Sequence, residues 1–71
     1  MVYKLKNITE LVSKELGSDV TDKFMFKTKG GRLTFFPVNN PSWESYFDSK
    51  QGVITEEYLS LIVRRVKMLN T

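Results

Sequence analysis

The sequence predicts an α+β fold: a helix, an antiparallel β-hairpin, a short aromatic helix and a long C-terminal helix, packed as one small domain over residues 1–71. Three observations carry this expectation. In Lys23–Val38 (KFMFKTKGGRLTFFPV) two apolar-rich runs flank a Gly-Gly pair, a hairpin signal. Ile8, Leu11, Val12 and Leu16 fall at helical spacing and end at Gly17, a natural helix stop. Leu59, Ile62, Val66 and Leu69 form a second helical stripe.

The first six residues, MVYKLK, alternate weakly and fit either a short strand or a lead-in to the first helix. Asn7 then offers an N-cap with Glu10 three residues on, the spacing of a capping box, so the first helix is expected over about 7–16. Glu10 and Lys14 form an i, i+4 pair on its polar side. Ser18–Asp22 reads as a short polar linker into the hairpin.

Side chains alternate faces along a strand. Phe24, Phe26, Leu33 and Phe35 therefore share one apolar face, expected to pack on the first and last helices. Met25, Lys27, Lys29, Arg32, Thr34 and Phe36 take the other. A turn at Gly30-Gly31 pairs Phe26 with Phe35 and Phe24 with Pro37; a turn at Lys29-Gly30 pairs Phe26 with Leu33 and Phe24 with Phe35. Both join the same face, whereas a three-residue loop would split it. Pro37 cannot donate to a ladder and marks the end of the second strand.

Asn40 and Pro41 look like the cap and first turn of a short helix over about 41–48. Helical spacing would put Trp43, Tyr46 and Phe47 on one side, closing over Met25 and Phe36; serines and an acidic pair weaken this helix, and an aromatic loop is the alternative. Thr55 is a good N-cap for the last helix, expected over about 56–69. Glu56 and Glu57 sit at the positive end of its dipole, and Ile54 with Leu59 makes a hydrophobic staple. On its wheel Tyr58, Val63, Leu61 and Met68 widen the apolar arc to roughly 200°, broader than one core contact needs. Arg65 falls inside that extension. It can snorkel, or it can anchor a partner.

The totals narrow the function. The 71 residues contain no cysteine and no histidine. Disulfides, zinc fingers, thiolate chemistry and imidazole catalysis are excluded, and the composition suits a reducing, cytoplasmic setting. With 11 Lys and Arg against 8 acidic residues the net charge is +3, a mild basic excess. No long apolar run suggests a signal peptide or a membrane span. Glu56–Glu57 and Asp19–Asp22 are better explained by a helix start and a linker than by acid–base work. Asp48-Ser49-Lys50 lacks the upstream carboxylate a nuclease site would need. Gly30-Gly31 lacks the surroundings of a phosphate-cradling loop. The expectation is a non-enzymatic protein with no metal and no cofactor.

Two functional readings remain. From Lys23 to Pro41 there are basic residues and no acidic one. Lys23, Lys27, Lys29 and Arg32 on the hairpin, helped by Arg64 and Lys67 on the last helix, would bind the phosphates of nucleic acid with weak sequence preference. The plainer account of these cations is that they keep the hairpin soluble and blunt edge pairing. The alternative function is a protein-interaction module, a small regulator or inhibitor, a homodimer or an assembly component, docking through Tyr58, Leu61, Arg65 and Met68. The element order resembles small winged or hairpin-bearing DNA-binding modules and small viral accessory proteins in layout alone.

Overall fold

The computed structural model describes residues 2–49 and 51–70. In chain order it has a strand β1 (Val2–Lys4), a 3-10 turn (Leu5–Asn7), helices α1 (Ile8–Leu16) and α2 (Ser18–Thr21), and strands β2 (Phe24–Lys29) and β3 (Arg32–Pro37). A 3-10 turn (Pro41–Trp43), strands β4 (Ser45–Asp48) and β5 (Val53–Thr55) and helix α3 (Glu56–Leu69) complete it. The strands form two antiparallel sheets, one of order β2-β3-β4 and a small one of β1 with β5.

The α+β class holds, and the hairpin forms in the first of the two expected registers. Phe26 lies opposite Phe35 and Phe24 opposite Pro37, so Gly30 and Gly31 are the two turn residues, with φ of 56° and 80°. This turn places both left-handed positions on glycine. The alternative would have forced Lys29 into that region. Gly31 is further confined by a close approach, because a Cβ there would lie 2.2 Å from the Ser49 carbonyl oxygen.

Residues 41–48 do not form the expected helix. After the 3-10 turn the backbone extends at Glu44, and β4 pairs with β3 through Phe35–Ser45, Thr34–Tyr46, Leu33–Phe47 and Arg32–Asp48. The Asn40 side chain makes no capping bond. The adjacent aromatics Tyr46 and Phe47 suit a strand, and the open edge of β3 offers ladder partners that outweigh a weak local helix preference. The three aromatics therefore separate. Phe47 turns inward, stacked 5.7 Å from Phe35 and edge-on 5.6 Å from Tyr58. Tyr46 turns outward, and Trp43 is exposed at the turn. Met25 stays 44% exposed, and Phe36 is half-buried.

At the N-terminal end one open alternative is resolved, and two smaller expectations, the Asn7 cap and the linker, change. Val2–Lys4 is a strand paired with β5, and Leu5 begins a 3-10 turn that runs into α1; Met1 lies outside the described residues. The Asn7 backbone is already close to helical, so its side chain caps nothing and no capping box forms. Ser18–Asp22 is not a loose linker. It holds the single turn α2, whose buried Thr21 hydroxyl bonds Ser13 Oγ at 2.8 Å and the Ser18 carbonyl at 3.1 Å.

Helix α3 forms over the expected residues. Thr55 Oγ1 accepts from the Tyr58 N–H at 3.2 Å, and Ile54 and Leu59 flanking this cap are both buried. Leu59, Ile62 and Val66 join Ile8 and Val12 of α1, Phe24, Leu33 and Phe35 of the hairpin, Leu5 and Ile54 in one apolar cluster. The inner face of the three-stranded sheet thus rests on the helices, and its outer face is left to solvent.

Candidate nucleic-acid interface

Strand parity and register define the outer face as three cross-strand rows. Met25 pairs with Phe36. Lys27, Thr34 and Tyr46 form the middle row, and Lys29, Arg32 and Asp48 the row next to the turn. Lys23, whose carbonyl accepts from the Val38 N–H at 2.9 Å, extends the ladder at the base and falls on the same face by parity. The four hairpin cations named from the sequence are therefore brought to one surface.

Their environments differ. The Lys27 ammonium sits 5.8 Å from the Phe36 ring centroid, a cation–π contact worth about 0.5–1 kcal/mol at an exposed site. Arg32 Nε lies 3.0 Å from Asp48 Oδ1, both side chains exposed. Such a pair contributes about 0–1 kcal/mol and leaves the guanidinium within reach of a competing anion. Lys29 projects beside the turn. Lys27, Lys29, Arg32, Tyr46 and Asp48 rim an open depression of about 600 Å³, with the short Thr34 side chain between them.

Tyr46 is the member of this face that the sequence reading assigned elsewhere. It is 61% exposed and its hydroxyl donates to the Glu44 carboxylate. That bond and the Glu44 charge raise the phenol above its ordinary value of 10.0, and the nearby Arg32 opposes them, so the ring is neutral at physiological pH. The signal that could have placed it here is the strand preference of the adjacent aromatics Tyr46 and Phe47, which the helical reading of the aromatics concealed.

Arg64 and Lys67 do not join the hairpin cations. They lie on α3, on the helical side of the core, and border a separate hollow of about 300 Å³ with Tyr3 and Glu15. The residues named for a protein partner also divide. Tyr58 donates its hydroxyl to the Asp48 carbonyl at 2.6 Å, and Arg65 Nε donates to Ser45 Oγ at 3.2 Å, so both hold β4 against α3. Leu61 and Met68 stand 50% and 57% exposed on the same flank.

The hairpin tip is not a free two-stranded finger. β4 pairs with β3 as far as Arg32, and the Ser49 N–H donates to the Gly31 carbonyl at 2.7 Å. A third strand braces it to the turn. Asp48 takes part in that bracing; Lys50, the third residue of the Asp48-Ser49-Lys50 run, lies outside the described residues. Among the described residues no helix is long and apolar enough to cross a membrane, and no three Asp or Glu side chains gather as a metal site would need. Compared with protein-family profiles, curated proteins and solved structures, the chain gives no significant match.

Proposed function

We propose that the protein is a small non-enzymatic nucleic-acid-binding module of the cytoplasm that contacts phosphates with the outer face of its three-stranded sheet. One observation carries the reading: Lys27, Lys29 and Arg32 project from a single exposed face whose backbone is held by two ladders. Cations carried on a braced backbone release counterions from a phosphate chain without that backbone first having to be ordered. Lys23 extends the track at the base. Among the described residues no helix presents a set of base-reading side chains beside this face, so the binding is weakly specific, with a dissociation constant on the order of 10⁻⁴ to 10⁻⁶ M at physiological salt.

The test is a salt titration of binding to DNA and RNA. Three phosphate contacts predict a log–log slope of about −2 to −3. The triple variant Lys27→Ala, Lys29→Ala, Arg32→Ala is expected to flatten that slope and weaken binding. An affinity untouched by the triple variant ends this reading.

Protein docking through α3 is the second reading, and the exposure of Leu61 and Met68 favours it. Tyr58 and Arg65 count less toward it, since both are engaged with β4. Light scattering at rising concentration distinguishes a homodimer from a monomer, and a Leu61→Asp variant should abolish any dimer seen.

A further inference from the structure

We infer that the outer sheet face takes single-stranded rather than duplex nucleic acid, with an unpaired base stacked on Tyr46 and the sugar–phosphate chain running along β2. The inference rests on the reading of this face as a nucleic-acid surface and says which form of nucleic acid it fits.

The two aromatic rings of this face are not equivalent. Phe36 is half-buried and has the Lys27 ammonium over its ring, so a base would have to displace that cation. Tyr46 is 61% exposed. Its backbone is held by pairing with Thr34 and its hydroxyl is tethered to Glu44, so little freedom is lost when a base settles on it. A lone exposed aromatic is common on protein surfaces. This one differs in its neighbours, because the row Lys27–Thr34–Tyr46 sets a cation and a ring on either side of a small residue, with a depression between them.

The spacing suits one extended strand. Lys27 and Lys29 are alternate residues of β2, so they stand about 7 Å apart, the separation of successive phosphates in an extended chain. Lys23 continues the line. Tyr46 lies two strands away, about 10 Å across the sheet, on the side to which bases would project. Phosphates meet β2 and bases meet β4.

A duplex fits this face poorly. A two-stranded ribbon can enter the major groove, which is about 12 Å wide. Here the tip is three strands broad up to the turn, because Ser49 bonds Gly31 and β4 pairs with β3 as far as Arg32. The Asp48 carboxylate sits at that end and would meet phosphates. Paired bases would also leave Tyr46 nothing to stack on, whereas unpaired bases present their faces to aromatic side chains.

The experiment measures fluorescence anisotropy of a labelled oligothymidine and of a labelled duplex at low salt. It compares the full chain with Tyr46→Ala, Tyr46→Phe and the pair Lys27→Ala, Lys29→Ala. Expected are tighter binding of the single strand, a loss of about 5- to 150-fold with Tyr46→Ala on the single strand, little change on the duplex, and retained binding with Tyr46→Phe. Tyr46→Thr, β-branched and suited to a strand, repeats the measurement if alanine loosens the sheet. Equal or tighter duplex binding overturns the inference, as does a single-strand affinity unmoved by both Tyr46→Ala and Tyr46→Thr. In those cases a loss with the lysine pair leaves the charge-based reading standing. No binding of either nucleic acid at low salt overturns both.

Discussion

Arg65 on α3 donates its Nε hydrogen to the hydroxyl of Ser45 on β4 at 3.2 Å, and Ser45 is buried. A residue suited by its wheel position to anchor a partner instead anchors the edge strand of the protein's own sheet. Tyr58 does the same at the other end of β4, through the Asp48 carbonyl. The strand that carries Tyr46 to the outer face is thus tied at both ends to the helix beneath it.

Removing the Arg65 side chain leaves the buried Ser45 hydroxyl without this donor, so Arg65→Ala is expected to cost about 1–3 kcal/mol. Ser45→Ala removes the acceptor at less cost, about 0.5–1.5 kcal/mol. A double-mutant cycle by urea denaturation should give a coupling of about 0.5 kcal/mol or more. Strict additivity would show that the bond does not hold the strand.

The two turn glycines should respond in opposite ways. Gly30 has φ of 56° and open space where a Cβ would go, whereas a Cβ on Gly31 would meet the Ser49 carbonyl oxygen at 2.2 Å. Asparagine tolerates this backbone and Asn-Gly favours a type I′ turn. Gly30→Asn is therefore expected to be neutral or to stabilise by up to about 1 kcal/mol. Gly31→Ala should destabilise by about 2 kcal/mol or more. Each kcal/mol moves the midpoint by about 4–8 °C in a domain of this size, which thermal unfolding resolves.

Burial, followed by the Asp48 charge, raises the Tyr58 hydroxyl above its ordinary value of 10.0. The folded state therefore keeps this proton after the unfolded chain has begun to lose it. Stability contributed by the group is present below pH 10 and falls as pH rises above it through the folded-state value. Tyr58→Phe should cost about 0.5–1.5 kcal/mol at neutral pH and should lose less stability than the parent between neutral and alkaline pH. Parallel declines in the two proteins would assign the alkaline loss to other groups.

Asp48 faces Arg32 across the β3–β4 ladder and neutralises it in part. If this face binds phosphates, Asp48→Asn should tighten binding, by up to about fivefold at low salt. The salt slope should approach the full value for three contacts, since Arg32 then meets phosphate without a competing carboxylate, and the cost in stability should stay below about 1 kcal/mol. Weaker binding in this variant would argue that Asp48 positions Arg32 for the ligand rather than restraining it.

The part of the site that the sequence revealed and the part it hid differ in a physical way. Lys23, Lys27, Lys29 and Arg32 were legible because they share one strand–turn–strand whose parity is local. Tyr46 was not, because its placement depends on a strand whose partner, Thr34, lies elsewhere in the chain. Arg64 and Lys67 were grouped with the hairpin by charge alone, and charge does not report on which side of a core a helix presents it.

By itself the sequence determined the hairpin with its two faces, and the helix from Glu56 to Leu69 with its cap and buried stripe. Those features are set within a few residues by glycine conformation, strand alternation, a threonine hydroxyl and helical periodicity. Only the tertiary structure decided that Ser45–Asp48 is a strand, that Val2–Lys4 pairs with Val53–Thr55, and that Arg65 faces Ser45. In each case the deciding partner is distant along the chain, and an unpaired sheet edge or buried hydroxyl costs more than a weak local preference can resist.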